Sequence, residues 1–128
     1  MIFLSAHLHE YSVLSRETPS GNVVQVMVNS VNRMLEPPNP KNYTTEYKGE
    51  KWAEATSDWQ PNTQAVRLKI LSEEKKHILQ FRKADLPGYG VISVSYAKGE
   101  VILNYYNGLS EKPFETVNLT ELQNLKAK

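Results

Sequence analysis

The chain has 128 residues, 40% of them hydrophobic and 23% charged, the proportions of a soluble globular domain. A chain of this length buries about two-thirds of the surface its unfolded form exposes, enough for one core, so residues 1–128 are expected to form a single domain. With 15 Lys and Arg against 14 Asp and Glu the net charge is +1, which excludes a strongly basic field over the whole molecule, and the absence of cysteine excludes disulfides, thiol nucleophiles and Cys-ligated zinc.

The N-terminal stretch alternates Ile2, Leu4, Ala6 and Leu8 against Phe3, Ser5, His7 and His9, so residues 2–9 are predicted to form a half-buried strand. Its apolar run is short and lacks a preceding basic residue, and no segment is apolar enough to span a bilayer. A cytoplasmic location is expected.

A helix is predicted over 19–36. Thr18 can cap it, Pro19 suits a first helical position, and Val24, Met27, Val28, Val31, Met34 and Leu35 form an apolar stripe before Pro37-Pro38-Asn39-Pro40 ends it. The valines of this segment would suit a strand, but periodicity, cap and proline stop point to the helix.

Residues 37–64 are the most polar part and hold both tryptophans. Tyr43–Tyr47 and Lys51–Glu54 are predicted to pair around Lys48-Gly49 as a hairpin, followed by a loop. The competing arrangement is a short helix from Glu50 with Trp52, Ala55 and Trp59 on one face.

From residue 65, Val66, Leu68 and Ile70 alternate with polar residues, and after Glu73-Glu74-Lys75-Lys76 the alternation resumes at Leu79 and Phe81. This predicts a hairpin with Ile70 opposite Leu79 and Arg67 opposite Arg82. A second hairpin is expected over 91–106 around a two-residue Lys98-Gly99 turn, with Tyr96 opposite Val101, Val94 opposite Leu103 and Ile92 opposite Tyr105. Asn107-Gly108 signals a tight turn into an edge strand near Phe114–Asn118, and Leu119, Leu122 and Leu125 indicate a short C-terminal helix capped by Thr120. The sum is an α+β fold: a curved antiparallel sheet of about five to seven strands packed on one long amphipathic helix, with a short C-terminal helix.

Candidate chemistry is sparse. His7 and His9 share a strand face and His77 could join them in a metal site, but histidines opposite an apolar face are expected to be solvated, and no metal or cofactor is assigned. No Gly-x-Ser-x-Gly nucleophile elbow occurs, so no catalytic residue is assigned and the chain is expected not to be an enzyme. Asp85-Leu86-Pro87-Gly88 resembles the Asp-x-x-Gly segment of GTPases, but no phosphate-binding Gly-x-x-x-x-Gly-Lys-Ser/Thr loop precedes it, and a Pro-Gly turn is expected instead.

Two binding surfaces remain. Tyr and Trp are the types most enriched at binding hot spots, which makes Trp52, Trp59, Tyr43 and Tyr47 candidate anchors of a protein interface. A regulatory, inhibitory or adaptor module acting through protein–protein contacts is the leading expectation, with a homodimer through sheet edges or faces as one form of it. The alternative is single-stranded DNA or RNA held by Arg67, Lys69, Lys75, Lys76 and Arg82, with Tyr106 as a stacking ring. Residues 91–126 are distantly similar in pattern to the strand-hairpin-helix core of single-strand-binding transcriptional coactivators. That resemblance covers about a quarter of the chain, and the helix expected at 19–36 has no counterpart in that core.

Overall fold

The computed structural model describes residues 1–6, 11–28, 43–47, 63–84, 88–108 and 110–126. It is a mixed α/β structure of seven strands and two helices among these residues: β1 (Ile2–Ser5), β2 (Tyr11–Arg16), β3 (Val23–Met27), α1 (Gln64–His77), β4 (Ile78–Ala84), β5 (Gly88–Ser95), β6 (Glu100–Asn107), β7 (Glu115–Asn118) and α2 (Leu119–Gln123). The strands form two sheets, β1-β3-β2-β4 and β5-β6-β7. All pairings are antiparallel except β1 with β3.

The first sheet corrects the predicted long helix. Residues 23–27 are a strand, set between β1 and β2, with Val24 and Val26 fully buried. Val24, Val26 and Val28 also satisfy a period of two, and in a central strand the β-branched preference of valine decides between the two periods. Thr18 and Pro19, read as a helix start, belong to the β2–β3 connection. The Thr18 hydroxyl donates to the Gly21 carbonyl at 2.6 Å and accepts from the Ser20 amide, and Gly21 has φ +104°. Residues 29–36 of the predicted helix lie outside the described residues, as do residues 7–9 of the predicted first strand.

Strand β2 was not anticipated at all. It buries Tyr11, Val13 and Ser15 on one face, two of them residues with hydroxyls, so its alternation is masked in hydropathy. Ser15 is satisfied inside the core by donating to the Leu122 carbonyl of α2 at 2.8 Å.

The predicted hairpin from residue 65 is half right. Ile78–Ala84 is a strand, but Gln64–His77 is helical, so Arg67 and Arg82 do not face each other. Thr63 caps α1 by accepting from the Val66 amide, no Gly or Pro interrupts its 14 residues, and Lys75, Lys76 and His77 sit favourably at its C-terminal end. Its inward positions are Arg67, Leu71 and Glu74, at i, i+4 and i+7, while Val66, Leu68 and Ile70 are exposed. The apolar alternation that suggested a strand therefore belongs to the outer side of a helix.

The second sheet matches expectation more closely. β5 and β6 form the predicted hairpin with the same division of faces, shifted by two residues: Val94 pairs with Val101 and Ile92 with Leu103, across a four-residue 96–99 turn in which Gly99 has φ +64°. β7 is the expected edge strand, reached by a longer connection than a tight Asn107-Gly108 turn, and α2 follows it with Asn118, not Thr120, as N-cap. The Thr120 hydroxyl instead accepts from the Val101 amide at 2.9 Å, fastening α2 to β6.

The inner faces of the two sheets share one core. Tyr11, Val13, Val24, Val26 and Ala84 of the first meet Leu103, Tyr105 and Val117 of the second, with Leu119 and Leu122 of α2 in the same cluster. This places β5 at the outer edge of the second sheet, paired on one side by β6.

Candidate functional site

Two features stand out: a polar hub between the sheets, and the outer edge of β5, which no strand pairs among the described residues. The hub centres on Glu115 at the start of β7. Its Oε1 accepts from Arg82 Nη1 of β4 at 2.6 Å and from the Tyr43 hydroxyl at 2.9 Å, while Oε2 accepts from the Tyr11 hydroxyl of β2 at 2.7 Å. One carboxylate thus gathers three donors from three separate parts of the chain. It is 12% exposed, so the bonds are charge-assisted and poorly screened. Burial, followed by the bond to Glu115, pushes the phenols of Tyr11 and Tyr43 above the ordinary tyrosine value. Burial alone pushes Tyr105, whose ring stacks on Tyr11 at 4.1 Å, up to about 12.

The hub explains where two of the candidate protein anchors lie. Tyr43 is bound to Glu115 and meets Phe114 edge-on, Thr44 pairs with Lys83 as a single β-bridge, and Tyr47 meets Phe81 edge-on at 5.4 Å. Tyr43 and Tyr47 therefore fasten residues 43–47 along β4. Trp52 and Trp59 lie outside the described residues, as do Lys51–Glu54, the predicted partners of 43–47.

The candidate nucleic-acid residues do not share one sheet face. Arg67 is buried on α1; Lys69, Lys75 and Lys76 are exposed on the same helix, with Lys76 paired to Glu73 at 2.9 Å; Arg82 is bound to Glu115. Bonding to Lys76 holds the Glu73 carboxyl below its usual range. Tyr106 lies on the outer face of the second sheet, stacked on Tyr89 at 5.1 Å. His77 contacts Glu17 at 3.2 Å, beside an open cleft of about 420 Å³ that Arg16, Glu17, Thr18, Pro19 and His77 line. Among the described residues no group of three or more His, Asp or Glu is placed to hold a metal ion, and no helix is long and apolar enough to cross a membrane. His7, His9 and Asp85 lie outside the described residues.

The β5 edge was missed in the sequence because the hairpin reading treated both of its strands alike. Strand β5 runs eight residues, Gly-Tyr-Gly-Val-Ile-Ser-Val-Ser, without a single charge or proline. Tyr89, Val91, Ile92 and Val94 are exposed, and Tyr96 at the turn is 94% exposed. Among the described residues no strand pairs with its outer edge. Edge strands are ordinarily guarded by charges, proline, bulges or shortness, because alternate N–H and C=O groups point outward and template pairing. β5 carries none of these guards, and its register with β6 is regular throughout.

Comparison of the chain with protein-family models, with curated proteins and with solved structures finds no match in any of the three.

Proposed function

We propose that this chain is a non-enzymatic interaction module that takes up an extended segment of a partner protein along the free edge of β5. The observation that carries this reading is the unguarded, uncharged edge strand with four exposed apolar side chains. Added strands gain affinity from main-chain hydrogen bonds and specificity from alternate side chains, and β5 offers both. Tyr89 and Val91 lie on the outer face beside Tyr106 and Asn104, while Ile92 and Val94 lie on the face shared with Leu103 and Val101. An incoming strand would meet aromatic and polar groups on one side and aliphatic groups on the other.

The experiment is selection of displayed random peptides on the immobilised protein, with a Val91→Lys/Val94→Lys variant as counter-target. Both positions are exposed, so the variant is expected to fold, and circular dichroism checks this. The reading expects enriched apolar-alternating peptides that bind the parent and lose at least ~10-fold affinity for the variant, about 1.4 kcal/mol. No enrichment, or equal binding to both, would contradict it.

Single-strand nucleic-acid binding stands as the second reading, now resting on Lys69, Lys75 and Lys76 of α1. Titration of a labelled single strand at two salt concentrations tests it, since phosphate binding weakens steeply as salt rises.

A further inference from the structure

Resting on that reading, we infer that the partner strand at the β5 edge is β5 of a second copy of this chain, paired antiparallel about a two-fold axis at Ile92. Residues 88–96 are self-complementary in size across such a pair. An antiparallel pair related by a two-fold axis normal to the sheet keeps the two inner faces on one side, so each residue must meet one of the same face. Centring the axis on Ile92 meets this condition and engages the whole strand and Tyr96 after it.

In that register every bulky residue but one meets a small one. Tyr96 falls opposite Gly88 of the other copy, Val94 opposite Gly90, Tyr89 opposite Ser95 and Val91 opposite Ser93, while Ile92 meets its own image at the axis. Pairing a bulky residue with a small one avoids side-chain crowding across the strands, and no like charges face each other because the strand has none. Both glycines are already fixed for internal reasons: a Cβ on Gly88 would strike the Tyr106 carbonyl oxygen, and one on Gly90 would lie 2.8 Å from Val28 Cγ1. The space over each glycine is thus already filled from within the chain, and neither glycine adds a side chain of its own to the pairing line. The product is one continuous six-stranded sheet, β7-β6-β5-β5-β6-β7, in which Ile92 and Val94 of both copies form an apolar strip.

Sedimentation equilibrium across micromolar to sub-millimolar concentrations tests the association, and a cysteine scan tests the register. The chain has no cysteine of its own, so Ile92→Cys is a clean probe. Residues facing each other across an antiparallel pair have Cα atoms about 4.5–5.5 Å apart, within disulfide reach. Ile92→Cys should cross-link to a covalent dimer under mild oxidation. Ser95→Cys, displaced from its own image by six residues along the strands, should not. Val94→Lys should raise the dissociation constant at least ~10-fold without loss of fold.

A chain that stays monomeric at every concentration would overturn self-pairing, as would a dimer that Val94→Lys leaves intact, or open-ended polymers in place of a closed pair. A monomer that still enriches peptides on the β5 edge would overturn only the second copy as occupant. A monomer that enriches none would overturn the binding reading as well.

Discussion

Arg82 on β4 and Glu115 on β7 form a 2.6 Å ion pair that ties the edge of one sheet to the edge of the other, with both side chains largely buried. The same carboxylate holds Tyr11 of β2 and Tyr43, so it is the point at which both sheets and residues 43–47 meet. Removing one member of such a pair leaves a charge out of water with no partner. Glu115→Gln and Arg82→Met are each expected to lower stability by about 2–4 kcal/mol in urea denaturation, with a coupling energy of about 1–3 kcal/mol in the double mutant. Additive losses below ~0.5 kcal/mol would show that the pair carries no structural weight.

Alkaline stability follows from the buried phenols. The folded state holds Tyr105 protonated to about 12, and Tyr11 is raised as well, while in the unfolded chain both ionise near 10.0. A group whose folded pKa is raised contributes stability that is fully present below the unfolded value and is lost as pH climbs toward the folded one. Stability is therefore expected to be level up to about pH 9.5, then to fall between ~10 and ~12 by about 1.4 kcal/mol per pH unit for each phenol held neutral. Urea midpoints across that range measure the slope, and a flat profile through pH 11 would contradict the burial of these rings.

Gly88→Ala is expected to be among the most damaging single-methyl additions in the chain. Its Cβ would drive into the Tyr106 backbone carbonyl, which cannot swing aside as a side chain could, so β5 and β6 must separate locally. Overpacking of this kind costs about 1–3 kcal/mol or more. At Gly21 nothing lies within 4 Å of the added Cβ, and only the positive φ resists substitution, so Gly21→Ala is expected to lose about 1 kcal/mol. Equal midpoints for the two variants would show that the β5–β6 contact is looser than described.

Ser15→Ala removes a donor from the core and leaves the Leu122 carbonyl without that bond. The expected loss is about 1–2 kcal/mol by thermal or urea denaturation. Ser15→Val, which fills the same β position without a donor, should not recover it, whereas Ser15→Thr should recover part.

What the sequence revealed follows sequence separation. The β5–β6 hairpin, β7 and the helix after it are built from neighbours in the chain, and alternation with a glycine-bearing turn was enough to read them. The two-residue error in register arose at the turn, where four residues and not two reverse the chain. Residues 23–27 satisfied both periods, and only their place in the middle of a sheet decides for the strand. On α1 Val66, Leu68 and Ile70 lie outside and Arg67 inside, which reverses the rule that periodicity reading depends on. The hub was illegible: Glu115 meets partners 33, 72 and 104 residues away, and no local pattern announces such contacts. The aromatic signal pointed to Tyr43 and Tyr47 as anchors of a protein interface, and their contacts among the described residues are within the chain.

The central proposal is that the outer edge of β5, which no strand pairs among the described residues, closes on a partner strand. Amide hydrogen exchange at residue resolution on dilute, monomeric protein tests it most directly. The account predicts two classes alternating along Gly88–Ser95, slow where the N–H points to β6 and fast where it points outward, with the fast class becoming protected at high concentration or with a selected peptide. Uniformly slow exchange along all of β5 in the dilute monomer would mean the edge is already covered, and the account would fail.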